Sequence, residues 1–310
     1  MLLVMSRSEL LARVASTNRL ARSTARRFVA GETLDEALHA VGILNAGGLL
    51  ATLDLLGENV TTEAEARTTA DAYLDMLVRI RAAGASSSVS VKPTSLGLDV
   101  SEVLASDLVE RIAADADSPD EPIEVTVDME GSDHTERTLD IFHSVHRRHA
   151  NLAAVVQSML YRSEADIEKL IDVGAHVRLC KGAYLEPPTI AYPDKRDSDR
   201  AYVRIAERML SAEARSKGAY VGLATHDEAI IDWATAYATD RGVPHEAFEF
   251  QMLHGIRRDL QTALVSRGYR VRVYVPFGTR WVPYFMRRLA ERPENLACVV
   301  RGVWTELMAR

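Results

Sequence analysis

From Leu49 onward the chain repeats one pattern: a short apolar, β-branched run followed by a longer amphipathic one. The short runs predict strands at Leu49–Leu53, Val89–Lys92, Ile123–Asp128, Ala153–Gln157, His176–Cys180, Tyr220–Thr225, Phe248–Gln251 and Val271–Val275. Between them the periodicity predicts helices at Glu63–Ala83, Glu102–Ala116, Thr135–His149, Glu164–Val173, Asp199–Lys217, Glu228–Thr239 and Ile256–Arg267. Strands alternating with helices imply βαβ units and a parallel sheet. Their spacing of about 20–45 residues leaves room for one crossover helix each. Eight such strands favour closure into an α/β fold of the (βα)8 TIM-type barrel kind. An open doubly wound sheet is the alternative left by the pattern alone.

Ahead of this repeat, Ser8 to Ala30 reads as a basic amphipathic helix and Glu36 to Val41 as a second one. The expected organisation is therefore an N-terminal helical segment over residues 1–45 and a barrel over 46–310. The 310 residues, 47% hydrophobic and 26% charged, suffice for one barrel of about 250 residues with additions. A net charge of -7 and a pI near 5.8, with no dominant basic stretch, argue against a nucleic-acid partner. Two cysteines, Cys180 and Cys298, make no disulfide framework. The apolar opening Met1–Met5 is shorter than a secretory h-region of about 7–15 residues, and no run approaches about 18 uncharged apolar residues. A soluble, cytoplasmic protein is expected.

A barrel places its active site at the C-terminal ends of its strands. Here those ends carry Lys92, Asp128, Gln157, Arg178 with Lys181, Thr225 with His226, Gln251 and Tyr274, and the first strand leads into a turn containing Asp54. Lys92 and Asp128 stand on neighbouring strand ends, where they can pair across the site or form a plain rim salt bridge. In Val177–Tyr184, two cations are followed by Gly182, which permits close approach to the backbone. That arrangement suits a pyrophosphate or a ring that becomes anionic, and equally a solvated basic turn. The final helical stretch holds Arg287 and Arg288, a fork for a carboxylate, with Glu291 at i+4 and i+3 to steady them. His143, His146 and His149 read as a solvated helix face rather than a metal site. No Gly-x-Gly-x-x-Gly and no Walker loop is seen, so a flavin or nicotinamide would have to bind in some other way.

These residues resemble the proline dehydrogenase family in its short monofunctional bacterial form. The similarity runs from about Ser88 to Asn295. It is carried by Val127-Asp128-Met129-Glu130, Val156-Gln157, Val177 to Tyr184, Ala224-Thr225-His226-Asp227, Phe248 to Gly255, Val273 to Gly278, and the Arg287-Arg288 helix with Glu291. The turn between Tyr274 and Arg287 is shorter than in the long multifunctional relatives.

The resemblance implies a distorted barrel that binds FAD non-covalently at its C-terminal face, with the last helix placed over the mouth. Carried over, Arg287 and Arg288 grip the carboxylate of L-proline, and Glu291 steadies them. Lys92 and Asp128 form a charged floor, while Tyr274 and Leu253 pack the pyrrolidine ring. Flavin contacts fall on Met129, Gln157, Arg178, Lys181, Gly182, Ala183, Thr225 and His226. Asp128 and Arg178 are the implied catalytic groups, Arg178 by favouring negative charge near flavin N5. The implied product is Δ1-pyrroline-5-carboxylate. Electrons would pass to a membrane quinone, through peripheral contact at the inner face of the cell membrane by Ser8–Ala30 or the tail Leu296–Trp304. A separate pyrroline-5-carboxylate dehydrogenase would act downstream. The alternative is a related FAD barrel such as methylenetetrahydrofolate reductase.

Overall fold

A computed structural model of the chain describes residues 25–118 and 121–291. The elements are α1 (Leu34–Ala46), β1 (Leu50–Leu55), α2 (Glu63–Ala82), β2 (Ser87–Val91), α3 (Glu102–Ala116), β3 (Val125–Val127), α4 (Thr135–His146), β4 (Leu152–Gln157), α5 (Ser163–Asp172) and β5 (His176–Cys180). There follow α6 (Lys195–Leu210), α7 (Ala212–Ser216), β6 (Tyr220–Ala224), α8 (Glu228–Arg241), β7 (Phe248–Leu253), α9 (Arg258–Ser266), β8 (Val271–Phe277) and α10 (Trp281–Glu291). The eight strands pair in chain order, each parallel to the next, and β8 closes on β1. The barrel expectation holds, and the open sheet does not.

Helix starts follow from side chains that satisfy free backbone N–H groups. Thr33 with Glu36 and Thr62 with Glu65 form capping boxes at α1 and α2. Ser101 caps α3, Asp194 caps α6 and Asp227 caps α8. The single helix expected over Asp199–Lys217 is two. It begins earlier, behind Asp194, and breaks at Ser211, whose backbone is extended and whose hydroxyl accepts from the Ala214 amide. A serine that caps a new helix competes with continuing the old one. Strand β3 keeps only three residues, so Asp128 lies just past its end.

Side chains alternate across each strand. One set, including Leu53, Val89, Val91, Val125, Val127, Leu179, Phe250 and Val273, joins the large apolar core shared with the helices. The other set faces the bore and is largely polar: Thr52, Asp54, Ser88, Ser90, Thr126, Arg178, Glu249, Gln251, Arg272 and Tyr274. Hydrogen bonds that cross the barrel, such as Arg178 to Ser90 and Tyr274 to Asp128, fix this assignment.

A second apolar cluster sits at the C-terminal ends of β1, β7 and β8. It joins Ala25, Phe28 and Val29 to Leu56, Ile256, Trp281, Val282, Tyr284 and Phe285. The last helix thus starts over the barrel mouth, as expected. Residues 25–31 lie beside it, tied by Ala30 N–H to the Pro276 carbonyl (2.9 Å) and Gly278 N–H to the Gly31 carbonyl (3.0 Å). Residues 8–24 of the expected first helix fall outside the described residues. Gly255, at φ 74, lets this segment come close: a Cβ there would collide with the Arg27 carbonyl. Gly255→Ala is expected to lower stability by about 1–3 kcal/mol, the cost of a left-handed non-glycine residue, and to expose residues 25–31 to protease. Urea denaturation and limited proteolysis measure the two effects.

Candidate active site

Alternation along β1 turns Asp54 inward with Thr52, and the same rule turns Ser88, Ser90 and then Lys92 inward from β2. Lys92 Nζ donates to Asp54 Oδ1, and both side chains are buried. Burial pulls the Lys92 ammonium down, but the carboxylates of Asp54 and Asp128 outweigh it and hold the lysine protonated. For Asp54, burial pushes the carboxyl up and the lysine charge works against it. Lys92 and Asp128 do not bond to each other, although they stand on adjacent strand ends. Asp54 lies closer to the lysine, and Asp128 is taken by two other donors. Asp54 belongs to β1 itself and not to the turn beyond it.

Those donors are Arg178, whose Nη1 reaches Asp128 Oδ1 at 2.6 Å, and Tyr274, whose hydroxyl reaches Oδ2 at 2.8 Å. Arg178 is 8% exposed and its guanidinium lies 5.1 Å above the Tyr274 ring centroid. Charge-assisted bonds of this length are among the strong ones. Burial first, and then the Asp128 charge, raise the Tyr274 phenol well above its ordinary value. The tyrosine therefore stays a hydrogen-bond donor.

Round the other arc of the mouth stand the side chains at the ends of β3 to β6. Met129 is buried. Gln157 donates Nε2 to the Glu130 carbonyl (2.8 Å), and its Oε1 is buried without a partner among the described residues. Glu130 is pushed up by burial and held from the other side by Thr94, which donates from both its amide and its hydroxyl. Lys181 Nζ is shared by Asp199 (2.6 Å) and Asp227 (2.7 Å), so it ties the β5 end to the starts of α6 and α8. Gly182 adopts φ 108, and a Cβ there would overlap the Met159 side chain. Ala183 is exposed and Thr225 buried. His226 Nε2 accepts the Leu253 amide at 2.9 Å, which places the ring proton on Nδ1. Half-buried Leu253 touches the apolar cluster beneath α10.

The rim thus brings together Lys92, Asp128, Arg178, Tyr274 and Leu253 with Gln157, Lys181, Gly182, Thr225 and His226. Arg287, Arg288 and Glu291 ride on α10, which rises from the same mouth, and their side chains lie outside the described residues. The expected solvated histidine face is half-buried at His143, His146 and His149, and His146 stacks on Phe142 and faces the carbonyls of Leu152 and Val173. Sequence reasoning placed Asp54 in the turn after the first strand and gave it no role; the signal for more was a lone carboxylate at the end of an apolar run, in phase with Thr52. It also left Ser90, Glu249 and Arg272 unmarked.

A closed parallel barrel with ionised groups gathered at the strand C-termini defines a TIM-barrel enzyme. The chain belongs to the proline dehydrogenase family, whose model matches residues 37–300. It is 42% identical over 282 residues to proline dehydrogenase 1 of Bacillus subtilis, covering 91% of each chain. It is also 42% identical over 284 residues to the proline dehydrogenase of Deinococcus radiodurans, covering 90% of this chain and 89% of that one. Among solved structures, proline utilization A (PutA) from Bdellovibrio bacteriovorus, inactivated by N-propargylglycine, superposes with a TM-score of 0.79 at 26% identity. That match covers 87% of this chain and 32% of the longer one. The methylenetetrahydrofolate reductase alternative gives way to this family assignment.

Two effects on stability follow. Asp54→Ala leaves the Lys92 ammonium buried without its partner and should cost about 3–5 kcal/mol, read by urea denaturation at pH 7. His254, next to Leu253, is pulled down by burial from the ordinary 6.5 to about 4. It folds neutral, so its contribution is complete above 6.5 and is lost as pH falls towards about 4. Stability should drop by about 1.4 kcal/mol per pH unit across that window from this group. The slope should disappear in His254→Phe when denaturation is repeated at pH 7, 5.5 and 4.

Proposed function

We propose that this chain oxidises L-proline to Δ1-pyrroline-5-carboxylate with non-covalently bound FAD and passes the electrons to a membrane quinone. The observation that carries the reading is the Asp128–Arg178–Tyr274 cluster, built on buried Arg178, beside the Asp54–Lys92 pair, set on the rim of a proline dehydrogenase barrel. The unpartnered Oε1 of Gln157 and the side-chain-free turn at Gly182 suit a polar cofactor lying along the ends of β3 to β6. Met129, Arg178, Lys181, Ala183, Thr225 and His226 complete that arc.

Bound FAD would supply the two-electron acceptor. The protein's own groups then have distinct tasks. Arg178 keeps a fixed positive charge in a low-dielectric bore, which favours negative charge developing nearby. Asp128 orients Arg178 and Tyr274 together. Tyr274 and Leu253 offer apolar surface to a pyrrolidine ring, with Lys92 and Asp54 as the charged floor. Arg287 and Arg288, steadied by Glu291, bind the carboxylate, and they orient the substrate rather than move a proton.

No helix among the described residues is long and apolar enough to cross a membrane. Contact with a quinone-bearing membrane is then peripheral, through Ser8–Ala30, of which residues 25–30 lie beside the barrel mouth, or the tail Leu296–Trp304; residues 8–24 and the tail are outside the described residues.

The purified protein should show a flavin spectrum that bleaches when L-proline is added without oxygen. N-propargylglycine should inactivate it, as it does the Bdellovibrio protein. Arg287→Met or Arg288→Met should weaken proline binding by about 1.5–3 kcal/mol while FAD content is unchanged. A soluble quinone analogue should sustain turnover, and proline-dependent reduction of NAD at a comparable rate would overturn the assignment.

A further inference from the structure

Inside the bore, below the rim, a line of hydrogen bonds runs from Arg272 to Asp128. Arg272 grips Glu249 with Nε (2.6 Å) and Nη2 (3.1 Å), and its Nη1 is held by the Ala51 carbonyl (3.1 Å) and the Ser88 hydroxyl (3.2 Å). Glu249 Oε1 accepts Gln251 Nε2 at 2.7 Å. Gln251 Oε1 then accepts Arg178 Nε at 2.6 Å, and Arg178 ends on Asp128. Gln251, Glu249 and Arg178 are all buried.

The chemistry of this line permits only one arrangement. A carboxylate accepts and a guanidinium donates, so a residue joining Glu249 to Arg178 must donate at one end and accept at the other. Glutamine does so in a single amide orientation. Asp128 and Ser90 both hold Arg178 through Nη1, at 2.6 and 3.0 Å, and so fix one end of the guanidinium, whereas the Nε bond to Gln251 fixes a second edge and with it the plane. Space for the join comes from β6. Gly222 is in register with Arg178 on one side and Glu249 on the other, and a Cβ there would overlap the Gln251 amide. Gly222 and Ala153 also leave a small polar cavity beneath Arg178.

We infer that Gln251, locked by the Glu249–Arg272 pair and admitted by Gly222, is the positioning residue that orients Arg178 for its work at the rim. The inference rests on the reading of Arg178 given under the proposed function.

Two variants test it. Gln251→Leu keeps the volume and removes both bonds. Gly222→Ala keeps every polar group but displaces the glutamine amide, the far end of a flexible side chain, so the barrel can still close. Flavin reduction at saturating proline should slow at least tenfold in Gln251→Leu and severalfold in Gly222→Ala, with KM for proline within twofold of the parent. The flavin midpoint potential should fall in both.

In flavin-free protein, the Arg178 Nε–H resonance should be protected from solvent exchange in the parent and lose protection in Gln251→Leu. Parent-like reduction rate, potential and Nε–H protection in Gln251→Leu would overturn the inference. So would failure of Gln251→Leu and Gly222→Ala alike to fold, which would make the line a device of barrel stability alone. If the parent flavin is not bleached by proline, the functional reading falls, and the Nε–H measurement still decides the positioning.

Discussion

Pairing of Leu50–Leu55 with Arg272–Phe277 joins the two ends of the sheet, and the same seam carries a bond from Arg272 to the Ala51 carbonyl across 221 positions. Until that seam forms, Thr52, Asp54, Arg272 and Tyr274 would face water or one another at open edges. Once it forms, every inward residue of the eight strands shares one enclosed space. Parallel pairing over such separations must overcome a large loop-closure entropy before it gains stability. Burial of the outward set beneath the helices is the compensating gain.

The enclosed space is unusual for such a barrel, whose interior is more often filled by branched apolar residues. Here it holds acids and bases that are nearly all matched: Asp54 with Lys92, Asp128 with Arg178, Glu249 with Arg272. Buried ion pairs contribute little net stability compared with apolar residues of the same volume, yet they become very costly when one partner is lost. A chain optimised only for stability would have no reason to build its bore this way. The arrangement supplies fixed charge and fixed orientation beneath the site, which is what a reaction centre needs from its surroundings.

The mouth is organised differently. Its roof is apolar, with Phe28, Trp281 and Phe285 in contact and Leu253 reaching up from β7. Its floor is the ionised cluster. A small amphipathic ring with a charged substituent would meet both kinds of surface at once, each with its complement. Residues 25–31 matter to this because they brace the start of α10 against the ends of β1 and β8.

Periodicity along the chain was enough to determine eight alternating βα units and to favour a closed barrel, because strand and helix repeats are local properties, while the pairing of β8 with β1 decided closure against an open sheet. Most rim residues were also evident, since a polar side chain ending an apolar run marks the strand terminus. Partnership was not. Lys92 sits one strand from Asp128 in the sequence pattern, yet it bonds to Asp54, because chain order says nothing about which of two nearby carboxylates lies closer across a curved sheet. Gln251 read as one more polar strand end. Its link to Arg178 and Glu249 exists only because Gly222, on the strand between, contributes no side chain to the bore. Distances across a barrel depend on its closure and on the volume of every inward residue, so those pairings were decided by the tertiary structure alone.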